Sequence, residues 1–306
     1  MVLILAACLF ACTSPGSSKE MNGFELDGSL VPENEIMGGG PPRDGIPAIH
    51  APKFATAAKT GLDDGARILG IYRNGIAKAY PIAILNWHEI VNDRFVDEAV
   101  VISYCPLCGT GMAFSPEVAG RSLRFGVSGL LYNSDVLLYD LETESLWSQI
   151  KMQAVSGPLK RERLRLLALA HTTLRDWKSR HPDTLVLNRD TGYGRNYDVN
   201  PYAGYEQIDA TMFPVSQQSD RYHAKELVLG LYTNGHAKAW PFSELKKAGS
   251  VIRDQFNGQP VSVRFDDANS SARVLDETGM EIPGVIAYWF AWYAFYPDTE
   301  VYVTPR

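Results

Sequence analysis

Thirteen residues occur twice in this chain, and the repetition constrains the fold more than any other feature. Leu69-Gly-Ile-Tyr-Arg-Asn-Gly-Ile-Ala-Lys-Ala-Tyr-Pro81 returns 160 positions later as Leu229-Gly-Leu-Tyr-Thr-Asn-Gly-His-Ala-Lys-Ala-Trp-Pro241, with nine of the thirteen positions identical. In each copy Asn-Gly supplies the two positive-φ residues of a type I′ turn, so the phrase predicts a β-hairpin. Pro81 and Pro241 come next. Proline suits the first position of a helix, and the pattern predicts helices over Ile82–Val91 and Phe242–Ala248. Strands are predicted after them, at Val100–Tyr104 and Val261–Phe265. A second shared phrase, Trp177 to Val186 against Trp292 to Val301, centres on Pro-Asp-Thr and has an offset of 115. Thr173-Leu-Arg-Asp176 resembles a capping box that starts its helix, and Pro182 stops it before a strand at Leu185–Asn188.

Both halves therefore read hairpin, helix, strand, then helix, Pro-Asp-Thr, strand. The fall in offset from 160 to 115 leaves about 45 extra residues inside the first copy. Repeats of this size stack to bury a shared core. The expected fold class is α+β: a β-rich, internally duplicated fold of two related lobes. The first repeat, with the insert, spans 37–225 and the second, shorter repeat spans 226–306.

The chemistry is confined to the first copy. Cys105 and Cys108 lie in Tyr104-Cys-Pro-Leu-Cys-Gly109, where the second copy has Asp266 and Asn269. Two thiols three residues apart on a tight turn can hold one metal ion, and Gly109 lets backbone N–H groups approach sulfur. No second Cys-x-x-Cys follows, so a four-cysteine site is excluded. Three readings stay open. The pair binds a soft metal, copper or zinc, with a further ligand. It is a redox dithiol, although the Gly-Thr-Gly that follows is poor helix sequence and a helix N-terminus is what lowers a thiol pKa. Or it is a static disulfide or structural clip in a non-catalytic binding module.

His88, aligned with Ala248, is the leading third ligand. A plain antiparallel helix–strand unit nevertheless puts it about 15 Å from Cys105 along the axis. His50, His171 and His181 are alternatives, the last two expected to be solvated; Met112 is a soft ligand or a core residue. Asn133, Ser134 and Asp135 read as a turn or as the wall of a polar pocket. Together with Ser128 and the loop residues Tyr193 and Arg195, they are expected around the site or facing a substrate. Gly126-Val-Ser128-Gly129 falls short of a nucleophile elbow, because Leu130 stands where the second glycine is needed.

The N-terminus bears on location. Met1–Cys12 is apolar, too short to span a bilayer, and matches the core of a secretory signal that ends in small residues before cysteine. Two lipobox-like readings exist, Leu5-Ala6-Ala7-Cys8 and Leu9-Phe10-Ala11-Cys12. The polar Thr13–Ser18 after the second favours lipidation at Cys12, with Cys8 the alternative. The expectation is a signal over 1–12 and a flexible tether over 13–36. An acyl anchor would hold the protein in a lipid bilayer, on the periplasmic or cell-surface face of a bacterial membrane. A net charge of −6 leaves no basic footprint for nucleic acid. No particular protein or small-molecule partner is assigned.

With these segments in view, the chain resembles the bacterial DUF3179 family, a domain of unknown function, from about Gly38 to Arg306. The resemblance rests on Gly39-Gly-Pro-Pro-Arg-Asp-Gly-Ile-Pro47, Asn86-Trp-His-Glu-Ile-Val-Asn-Asp93, Tyr104-Cys-Pro-Leu-Cys-Gly109, Phe125-Gly-Val-Ser-Gly129, Leu131-Tyr-Asn-Ser-Asp135 and Ser145-Leu-Trp-Ser-Gln149. It implies that these segments share one site or core, which strengthens His88, and that Gly38–Gly45 belongs to the fold. It implies no activity.

Overall fold

The computed structural model describes residues 19–305. The expected signal, Cys8, Cys12 and Thr13–Ser18 lie outside the described residues.

Both copies of the thirteen-residue phrase are hairpins: Arg67–Arg73 with Ile76–Pro81, and Leu227–Thr233 with His236–Pro241. Their turns hold Asn74 and Gly75, and Asn234 and Gly235, all at positive φ. A seven-residue helix follows each, Ile82–His88 and Phe242–Ala248. The first helix was expected to run to Val91. It stops at His88 because Glu89 turns the chain at φ 56°, and the β-branched Ile90 and Val91 enter a strand. Each half then has a meander in place of the single strand expected. In the first half Ile90–Phe95, Glu98–Cys105 and Thr110–Ser115 pair in order. In the second, Val251–Phe256, Gln259–Asp266 and Ser271–Leu275 do the same.

The second phrase closes each half. Ala170–Thr173 leads into the helix Leu174–Arg180 and the strand Leu185–Leu187; Val285–Tyr288 leads into Trp289–Phe295 and Glu300–Val301. Thr173 caps its helix as expected, its hydroxyl accepting from the Asp176 N–H at 3.3 Å. The repeated tryptophans explain the repeated glycines. A Cβ on Gly70 would fall 2.5 Å from the Trp177 ring, and one on Gly230 would fall 2.3 Å from Trp292. Each indole N–H also reaches the threonine of Pro-Asp-Thr, Trp177 to Thr184 at 2.8 Å and Trp292 to Thr299 at 3.0 Å. The repeated lysines are buried, and Lys78 pairs with Asp93 at 2.9 Å and Lys238 with Asp254 at 2.8 Å.

The fold is β-rich, and its helices are short. One five-stranded sheet belongs to the first half and runs Ala170–Thr173, Arg67–Arg73, Ile76–Pro81, Leu185–Leu187, Phe54–Thr56. The eight-stranded sheet draws on both halves. The first half's meander joins the second half's Val285–Tyr288 strand through Gly111 and Ile286. In turn, the second half's meander lies against Ala170–Thr173. Thr173 hydrogen-bonds the Asn269 side chain there, and the Arg67 guanidinium donates to the Ser270 carbonyl at 3.1 Å. The eight-stranded sheet thus spans the 225/226 boundary between the expected repeats.

The insert, between Ser115 and Arg165, folds into strands Phe125–Tyr132, Asp135–Asp140, Leu146–Ser148 and Gln153–Ser156, with Ile36–Gly38 on the outer edge. The tether expected over 13–36 is therefore packed from Glu20 onward. Glu20–Met21 pairs with Phe24–Glu25, and Phe24, Leu26, Val31 and Ile36 are buried in the apolar core that the insert shares with the cysteines. Four large apolar side chains within thirteen residues bury better than they solvate. Gly38–Gly45 is part of the fold: Gly39 N–H donates to the Gly129 carbonyl at 2.8 Å and Asp44 N–H to that of Val127 at 2.9 Å.

Candidate metal centre

The strand Glu98–Cys105 is buried from Val100 onward and ends on the cysteine turn. Cys105 pairs with Thr110, and Cys108 N–H donates to the Cys105 carbonyl at 3.2 Å, which closes Pro106 and Leu107 into a tight loop. Gly109 follows at φ 59°, and a Cβ there would lie 2.8 Å from the Tyr288 ring. Two constraints thus demand glycine: the left-handed backbone and the aromatic wall. The Cys108 carbonyl accepts from Tyr288 N–H at 2.8 Å.

The other wall comes from the insert. Asn133 and Ser134 form the turn between Phe125–Tyr132 and Asp135–Asp140, at φ 53° and 64°, the left-handed pair of a type I′ hairpin. The turn aims the Ser134 carbonyl at the sulfurs, 3.3 Å from Cys108 Sγ and 3.9 Å from Cys105 Sγ. It also delivers Asp135. Among the described residues, Cys105, Cys108 and Asp135 form a group of three potential metal ligands whose sulfur and carboxylate atoms all lie within 4.8 Å of one another. The cysteines are free thiols, and all three residues are at most 1% exposed.

Burial governs the electrostatics. It raises the Asp135 carboxyl to about 7, against the backbone N–H groups of Ile150 and Val136, which favour the charge. It raises Glu89 to about 8, with the Asp135 charge adding to the shift. Both thiols are pushed up, by burial first; the Asp135 charge adds to both shifts, and Cys105 raises Cys108 whereas the hydrogen bond from Cys108 holds Cys105 down. Three buried polar atoms around the group have no hydrogen-bond partner among the described residues: Asp135 Oδ1, Ser134 Oγ and Gln149 Oε1. Gln149 is held there by its amide, which donates to Ser103 Oγ at 2.8 Å. Two sulfurs, one carboxylate and unpartnered acceptors form a donor set that suits a cation.

His88 is not part of the group, and its ring nitrogens are engaged elsewhere. Tyr104 N–H donates to the Glu89 carbonyl at 2.7 Å, so the helix end lies beside the cysteine strand. The helix–strand unit behind the 15 Å expectation is replaced by a hairpin. The imidazole faces away. Nδ1 lies 2.7 Å from the Pro47 carbonyl and Nε2 lies 2.7 Å from the Tyr197 hydroxyl. A carbonyl only accepts, so Nδ1 carries the proton and the neutral ring accepts from Tyr197 at Nε2. Both ligand positions are thereby occupied. Asp135, expected beside the site, is the third member of the group.

The remaining candidates scatter. Ser128 is buried and donates to the Leu137 carbonyl, an ordinary sheet contact. Asn133 ties the insert to two other segments, donating to the Ala294 carbonyl at 3.2 Å and accepting from Ser216 N–H at 2.8 Å. Tyr193 is exposed and packs on His88; Arg195 is exposed above Trp87. His171 is buried rather than solvated, His181 stacks on Tyr72 and Trp177, and Met112 is core. Glu89 went unremarked in the sequence. Its signal was position alone, next to His88 in Asn86-Trp-His-Glu.

A family model described as "Protein of unknown function (DUF3179)" matches residues 43–299. Comparison with curated proteins and with solved structures gives no match.

Proposed function

The chain belongs to the DUF3179 family, and we propose that its first half carries a buried metal centre ligated by Cys105, Cys108 and Asp135. The observation that carries the reading is the convergence of three ligand atoms within 4.8 Å in a fully buried place. Zinc fits better than copper. Two thiolates alone suit either ion, but a carboxylate oxygen is a hard donor that zinc accepts and copper(I) does not favour. A bound divalent ion would keep both cysteines as thiolates and Asp135 ionised, reversing the shifts that burial imposes.

Two further readings belong to this proposal. The matching element order of the halves, with Gly–Trp, Trp–Thr and Lys–Asp contacts at corresponding positions, supports an internal duplication in which one copy was equipped. The N-terminal sequence supports export and anchoring by an acylated cysteine.

A second reading of the centre rests on Asp135. A carboxyl raised to about 7 beside two thiols is a suitable proton acceptor for a dithiol. A substrate disulfide would take the two electrons and both protons, leaving Cys105 and Cys108 joined. Metal content measured beside a free-thiol count separates the two. Near-stoichiometric zinc, lost in Cys108→Ser and reduced in Asp135→Asn, supports the metal centre. Absence of metal with no free thiol at 105 and 108, in protein taken directly from cells, overturns it.

A further inference from the structure

Nothing reaches sulfurs this deeply buried unless some part of the protein moves. Between Leu187 and Leu227 the chain forms a long strap whose regular structure is the single 3-10 turn Tyr205–Gln207. Connections of this length without strands or helices are rare in a compact fold unless they serve a site.

The strap lies over the cysteines. Tyr205 is buried in the same apolar cluster as Cys105 and Cys108, and Tyr202, Phe213 and Val215 pack against that cluster. It is fastened to the body toward its two ends, and Lys53 pairs with Asp190 at 2.6 Å and the Asn86 amide donates to Asn200 Oδ1 at 3.1 Å. Also at its near end the Tyr197 hydroxyl meets His88 Nε2 at 2.7 Å, braced within the strap by Thr191 Oγ1 at 2.6 Å, and the Trp87 indole donates to the Val199 carbonyl at 3.2 Å. At its far end Ser216 N–H donates to Asn133 Oδ1 at 2.8 Å. Past that point Phe290 N–H donates to the Ala224 carbonyl at 3.0 Å. A cleft of about 830 Å³ opens between Asp209–Ala224 and Phe290, and Phe290 belongs to the cysteine cluster.

We propose that this strap is the door to the cysteine centre, and that His88 and Tyr197 are positioning residues that latch it shut. His88 thus serves the site through the cover rather than as a ligand. The inference rests on the cysteine pair as the functional centre, not on the ion it holds. What passes the door is small: a hydrated metal ion or a low-molecular-weight thiol reagent.

The test is alkylation of Cys105 and Cys108 by iodoacetamide in the full-length, metal-free chain, followed peptide by peptide. Tyr197→Phe removes one hydroxyl and keeps the ring. Losing that bond is expected to speed labelling about three- to tenfold, with faster amide exchange confined to 189–226. Thr184→Val is the control, because it removes a bond of similar kind to Trp177, away from the strap, and is expected to leave labelling unchanged. Equal acceleration in both variants would mean that the thiols are reached by global unfolding and would overturn the door. So would faster exchange in the strap with no change in labelling. Failure of wild type to take up zinc would remove the proposed ion and leave the labelling comparison intact.

Discussion

Replacing Asp135 by Asn should stabilise the metal-free protein above neutral pH, although it removes a residue at the centre of the site. The folded state holds the Asp135 proton up to about pH 7, whereas the unfolded chain releases it near 3.8. Below about pH 4 the carboxyl is protonated in both states and costs nothing. Between about 4 and 7 the unfolded state ionises and the folded state does not, so the unfolded state binds fewer protons and stability falls as pH rises. A shift of that size corresponds to about 4 kcal/mol by pH 8. Asn cannot ionise, and it retains an oxygen for the Ile150 N–H that Asp135 accepts at 3.1 Å. An imperfectly bonded amide returns about 1–3 kcal/mol of that gain. The assay is urea unfolding followed by tryptophan fluorescence at pH 5 to 8, in chelator and in saturating zinc. In chelator, wild type should lose stability with pH and Asp135→Asn should lose less, because the residual fall belongs to Glu89. In zinc the order should reverse, since a ligand stabilises only the protein that binds it. A metal-free wild type whose stability is flat from pH 5 to 8, or a variant that falls as steeply, would refute the reasoning.

Gly70→Ala and Gly230→Ala should each destabilise by about 1–3 kcal/mol through overpacking, since each new methyl lands on a tryptophan ring. Urea midpoints would show it, and the double variant should be close to additive because the two sites share no partner. Lys78→Met should cost about 3–5 kcal/mol, because it leaves Asp93 buried at the hydroxyl of Tyr80 without a cation. The thermal midpoint is the readout, and Lys78→Met with Asp93→Leu should recover part of the loss.

Elements set by local chemistry were legible in the sequence. Asn-Gly turns, the Thr173 cap and the Trp to Thr phrase depend on residues a few positions apart, and all three form. The first meander was missed because its turn, at Val96 and Asp97, carries no glycine; Val96 adopts φ 57°, a state its branched side chain disfavours. The packing of 20–36 was missed because its partner, the insert, begins about eighty residues later. At the site, the cysteines announced themselves by spacing, whereas Asp135 reaches them across a hairpin turn from a different sheet. The direction of the His88 ring is set by Pro47 and by Tyr197, the latter more than a hundred residues away.

The exchange of meanders between the halves has a consequence for how the protein is made. Gly111 finds its strand partner in Ile286, and the Cys108 carbonyl finds its donor in Tyr288. Until that late segment emerges, the first half presents an open strand edge and an unfinished cysteine turn. Such long-range closure makes folding slow, and an exposed edge invites pairing with other chains. The chain therefore assembles its centre last, as a whole, and a fragment ending before residue 285 should fail to build the site even though it holds all three proposed ligands.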